Sequence, residues 1–96
     1  MNAADMEVRV GTAPIRWERS LWLDGVDQSY ESSAATEDIR LLEGEPDDER
    51  RSIVPGLVRV IVLSEDSEGR RALVQLPREV VMGGRRVWVP LDKLRR

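Results

Sequence analysis

The stretch LVRVIVLSEDSEGRRALVQLPREVVMGGRRVWVPLDKL, residues 57–94, reads as β-structure along its whole length. Residues 57–63 are apolar on both faces apart from Arg59, which suits a central strand. Pro55-Gly56 just ahead of them is a turn signal, and residues 64–69 form a polar, acidic loop. From residue 71 to 76 the pattern alternates, with Ala72, Val74 and Leu76 on one side, until Pro77 ends it. Residues 79–82 and 85–89 flank Gly83-Gly84 and predict a hairpin that pairs Val80 with Val87 and sets Glu79 diagonal to Arg86. Pro90 closes that strand. Leu91 and Leu94, at i and i+3, predict a short helical turn able to plug one end of a sheet.

Short strands joined by tight turns and ending in Val-Trp-Val-Pro-Leu-x-x-Leu resemble a small SH3-like or Tudor-like barrel. Val58, Val60, Val62, Leu73, Val74, Val87, Val89, Leu91 and Leu94 carry that resemblance. It implies a fold and no function, because small barrels host many functions. The ligand-binding aromatics of those families have no match here, so no binding residue is carried over.

Working outward, residues 6–10 alternate as a half-buried strand, with residues 1–5 read as a loose tail. Residues 15–23 suit a strand or a helix. Asp24-Gly25 favours the strand, as the two-residue type I′ turn of a hairpin pairing Leu23 with Val26 and Arg19 with Tyr30. Ser33 is placed to cap a short helix presenting Ala35, Ile39 and Leu42, with Gly44 as its stop; a strand through residues 39–42 is the competing reading. Residues 43–52 (EGEPDDERRS) read as a mobile acidic loop. The expectation is therefore a single domain, 1–96, mainly β. It is a partly open barrel or packed hairpins centred on 57–94, with one short helix around residues 34–43.

Charge is divided along the chain. Residues 1–49 hold 13 Asp/Glu against 4 Arg, a balance of −9, and residues 50–96 hold 11 Arg/Lys against 5 Asp/Glu, a balance of +6. Such a chain folds acid against base or shows two different faces to partners. Lys93 is the sole lysine. With no Cys and no His, disulfides, thiol nucleophiles, the usual general base and the usual transition-metal ligands are excluded. No apolar run approaches the roughly 20 residues of a membrane span, and a cytoplasmic, bacterial or phage-borne protein is the expectation.

No catalytic, cofactor or metal residues are assigned. Gly83-Gly84 lacks phosphate-loop spacing, EGEPDDE lacks that of a calcium loop, and Asp24, Asp27 and Glu31 read as polar hairpin flanks. Two candidate surfaces remain. Trp17, Leu21 and Trp22 would anchor another protein or a second copy of this chain, the signature of a non-catalytic interaction module. Alternatively Arg70, Arg71, Arg85 and Arg86, with Trp88 for base stacking and Arg50, Arg51, Arg95 and Arg96 in support, would bind nucleic acid. In that second reading the acidic residues 31–49 act as an autoinhibitory arm.

Overall fold

The computed structural model describes residues 2–47, 52–81 and 83–95. Eight strands build one curled sheet: β1 (Asn2–Thr12), β2 (Glu18–Asp24), β3 (Ser29–Ala35), β4 (Ile39–Leu41), β5 (Val54–Asp66), β6 (Arg71–Gln75), β7 (Arg86–Pro90) and β8 (Leu94–Arg95). Neighbours run in the order β3-β2-β1-β5-β6-β7, all antiparallel, with β4 added to β5 and β8 to β1. The fold is mainly β, a half-barrel, as the alternation predicts. Arg50, Arg51, Arg96, Met82 and positions 48–51 of the acidic loop lie outside the described residues.

The long strands β1 and β5 form the spine. Their register sets Met6 opposite Val58 and Val10 opposite Val54. A β-bulge between Val62 and Ser64 leaves Leu63 unmatched against β6, and such an extra residue bends and twists the strand that holds it. One concave face results. It takes even positions from β1, β3, β5 and β6 and odd positions from β2 and β7, so the period-2 pattern of six strands converges on one core. Met6, Val10, Leu21, Leu23, Val58, Val60, Val74, Leu76 and Val89 are buried there. None of the three tryptophans joins them: short aliphatic side chains fill a narrow barrel without aromatic bulk. Residues 57–94 supply most of this core, and β1 and β2 add Ala4, Met6, Val8, Val10, Leu21 and Leu23. Leu91 and Leu94 pack against it from the 3₁₀ turn Leu91–Lys93 and from β8, as expected of an end plug.

Several local expectations are corrected. The tail is not loose: Asn2 already pairs with Val62. Pro55-Gly56 lies inside β5 rather than in a turn; Pro55 needs no donor there, and its carbonyl accepts from Leu42 N–H at 3.1 Å. The helix around residues 34–43 is absent. Ser32 and Ala34 alternate into the core from β3, and the 3₁₀ turn Thr36–Asp38 passes the chain to β4.

Both hairpins are shifted as well. Leu23 pairs with Tyr30, and Arg19 with Ala34, across a four-residue loop, 25–28. A type I′ turn needs positive φ at its central residues, whereas among the described residues Gly44 and Arg70 alone have it. Instead Gly25 N–H donates to Gln28 O at 2.8 Å, and Val26 N–H reaches Trp88 O at 2.9 Å, tying the loop to β7. A Cβ on Gly25 would stand 2.6 Å from Tyr30 Cε2 and 3.1 Å from that same Trp88 oxygen, so a larger residue there must push its neighbours aside.

The second hairpin joins β6 to β7, with Val74, not Val80, opposite Val87. Val80 leaves the ladder because it is needed as a plug. It is 5% exposed, held in a local turn in which its N–H donates to Gly84 O and its carbonyl accepts from Gly83 N–H. The connection around it seals the barrel against β3. Val81 N–H donates to Glu31 O at 2.7 Å, and the Ser32 hydroxyl donates to Glu79 O at 2.9 Å, with Arg78 O at 3.3 Å. Arg78 completes the seam by donating to Glu18 on β2.

Candidate functional site

Two surfaces collect the chemistry. The first is the corner where the chain enters β2. The tight turn 15–18, closed by Glu18 N–H donating to Ile15 O at 3.1 Å, carries Trp17; its carbonyl also accepts Thr36 N–H at 2.9 Å. The backbone beneath this indole is thus fixed at two points while the ring itself is 66% exposed. Ile15 stands exposed beside it in sequence.

Leu21, grouped with Trp17 from sequence, is 0% exposed and belongs to the core; inward alternation on β2 removes it from any contact surface. Trp22 lies on the outer face of the same strand, half-buried on Gly11: a Cβ there would sit 2.7 Å from the indole. Its ring is packed rather than presented. Of the three residues read as a protein anchor, Trp17 alone is fully presented.

Sequence reading missed the partner of this corner. Val81 is 61% exposed at the other end of the seam along β3. It looked like a strand residue because it sits in an apolar pair with Val80; the pair is split, one side chain inward and one out. Ser33 lies between. Since Glu31 O points away from β2 to meet Val81, strand alternation aims the Ser33 N–H and C=O the same way, where no backbone group among the described residues meets them.

The second surface is the convex face of β5, β6 and β7. Arg71 and Trp88 face outward on adjacent strands, and the Arg71 guanidinium lies 4.4 Å from the indole centroid. Arg71 also donates to Asp66 at 3.2 Å. The Gly69 N–H first, and Arg71 after it, hold the Asp66 carboxyl below its ordinary pKa. Tyr30, on β3, moves the opposite way, raised chiefly because its hydroxyl donates to Asp27 at 2.9 Å.

The arginine pairs do not form one cluster. Register places Arg71 opposite Pro90 and Arg86 opposite Gln75, at opposite ends of the hairpin and about 13 Å apart along it. Arg85 is committed to structure, donating to Leu76 O and Pro77 O. Arg70 stands in a left-handed turn (φ 52), lining a hollow of about 440 Å³ with Ser67, Pro90, Leu91 and Asp92. Of the acidic stretch 31–49, residues 31–41 are β3, a 3₁₀ turn and β4, integral to the sheet.

The opposite charges of the two halves meet within the chain at Arg78–Glu18 and Arg95–Glu7. Among the described residues no group of three or more acidic side chains is placed to hold a metal ion, and no buried side-chain polar atom lacks a partner. No helix among them is long and apolar enough to cross a membrane. No family model matches the chain, and comparisons with curated proteins and with solved structures find no significant match.

Proposed function

We propose that this protein is a non-catalytic interaction module, a small barrel working in the SH3-like manner, that associates with a second copy of itself along the β3 edge. The observation that carries the reading is Trp17: the largest type of apolar side chain, two-thirds exposed, on a backbone pinned by two hydrogen bonds. Rigid, exposed aromatics are the residues that dominate binding energy at interfaces. Val81, exposed on the connection that covers β3, supplies a second apolar contact.

A second copy is the favoured occupant because the edge carries both signs of charge. Arg16 and Arg19 lie at the Trp17 end, together with Glu37 and Asp38, and Glu31 lies at the other end, where a two-fold partner would bring its Arg16 and Arg19; no ion pair engages these residues among the described residues. Under a two-fold axis such an edge is complementary to itself. A bacterial cytoplasm suits a cysteine-free chain of this kind.

Sedimentation equilibrium tests it. Trp17→Ala is expected to weaken self-association by about 30-fold, the loss of one hot spot. Val81→Asp, which replaces an exposed apolar side chain and leaves its N–H bond to Glu31 O in place, weakens it without unfolding the chain. An unchanged dissociation constant in both variants refutes the reading.

A further inference from the structure

The convex face of β5, β6 and β7 is independent of the β3 edge and has a different chemistry. Across it, register aligns Ser64, Leu73 and Trp88 in one row. Ile61 and Gln75 are paired in the next row, and Arg86 stands opposite Gln75. Ile61, Leu73 and Trp88 are half-buried, leaving a flat, partly apolar platform. Arg59, Arg70 and Arg86 rim it, exposed, and none of them makes an ion pair among the described residues, with Asp5 opposite Arg59 in the ladder and Asp92 sharing the hollow of Arg70 as the acids nearest to them.

We propose that this face binds single-stranded nucleic acid. A base stacks on the Arg71–Trp88 pair, and backbone phosphates are held by Arg59, Arg86 and Arg70. Planar guanidinium groups and indole rings are both stacking platforms for unpaired bases, which a duplex keeps hidden. Arg71 is pre-ordered for this by two contacts, Asp66 on one side and the indole on the other. Arginine matches phosphate bidentately, and three unpaired guanidiniums give an anion a defined track rather than a diffuse field. The acids on the loop beside β7 do not cancel them. Asp24 is engaged by Arg9 and Ser29, and Asp27 by Tyr30.

Fluorescence anisotropy with a labelled oligothymidine of about 12 nucleotides tests the proposal, since sites for single strands span about 4–16 nucleotides. Three phosphate contacts predict binding about 20-fold weaker at 200 mM than at 50 mM salt. Arg86→Glu and Arg59→Glu, which break no contact within the chain, each weaken binding more than about tenfold at 50 mM salt. Trp88→Leu costs a further factor of about ten or more, and Arg71→Lys, which keeps the charge and loses the plane, reproduces much of that loss if Trp88→Leu does not fold. Absence of binding at 50 mM salt overturns the proposal. So does binding untouched by Arg86→Glu and Arg59→Glu, or binding that polyglutamate displaces equally well and that ignores Arg71→Lys. Trp17→Ala is expected to bind the oligonucleotide as the parent does, so this site and self-association succeed or fail separately.

Discussion

Replacing Ser32 by alanine removes the one hydroxyl that ties the β6–β7 connection to β3. Ser32 is 8% exposed, the single polar side chain among the buried described residues. Its Oγ carries one proton, which the nearer carbonyl takes: Glu79 O at 2.9 Å rather than Arg78 O at 3.3 Å. A net hydrogen bond is worth about 1 kcal/mol, and a carbonyl stranded away from water costs about 1–3 kcal/mol. The bond to Glu79 O is only partly buried, so the cost of losing it falls at the low end, about 1 kcal/mol. For a chain of this size that lowers Tm by about 4–8 °C. The loss is local, because Ser32 neighbours Glu31, whose carbonyl holds Val81 N–H. Hydrogen exchange followed by NMR is therefore expected to show faster exchange at Val81 while Val60 and Val74 amides are slowed or sped only by the global change. A Tm unchanged to within about 1 °C, together with unaltered exchange at Val81, refutes the idea that this hydroxyl holds the seam.

Leu21→Ala is expected to cost about 2–5 kcal/mol in urea unfolding and Trp17→Ala less than about 0.5 kcal/mol; equal costs would mean that core and surface are misassigned on β2. Gly25→Ala forces a Cβ to within 3.0 Å of Gln28 O and 3.1 Å of Trp88 O, and is expected to destabilise by about 1–3 kcal/mol, measured as a lowered urea midpoint. Asp66 has a lowered folded pKa, so its stabilising contribution is complete above the ordinary aspartate value of about 4 and is lost as pH falls through the folded value. Asp66→Asn is expected to flatten that part of the acid-unfolding profile, and NMR titration of the carboxyl should place its midpoint below the ordinary range.

How much of this was legible in the sequence depends on range. Period-2 alternation over 6–10 and 71–76 placed β1 and β6, because a strand with one buried face must alternate whatever it pairs with, and the run 57–63, apolar on both faces apart from Arg59, placed β5 as a central strand. Pairing itself is non-local and was not legible. Asp24-Gly25 looked like a two-residue turn, yet its loop is set by Trp88 O, more than sixty positions away. Gly83-Gly84 looked like a hairpin centre; the pairing partner of 86–90 lies at 71–75 because burying Val80 satisfied the core better than laddering it. Ala35, Ile39 and Leu42 have helical spacing behind a capping Ser33, but Ser32 and Ala34 point inward in the strand that β2 templates. At the candidate surfaces, Trp17 and the outward Trp88 were visible as residues. That Leu21 is core, that Trp22 is seated on Gly11 and that Val81 is exposed followed only from which face each strand turns inward.

Two copies of the chain joined at the β3 edge through Trp17 would bring the charges on that edge together. Static light scattering on the eluting protein, over a range of concentrations at low and at high salt, tests it most directly. The expected mass is about twice the 10.9 kDa of one chain at low salt, shifting toward the single-chain mass as salt screens the edge charges. A mass of one chain at every concentration and both salts would contradict it.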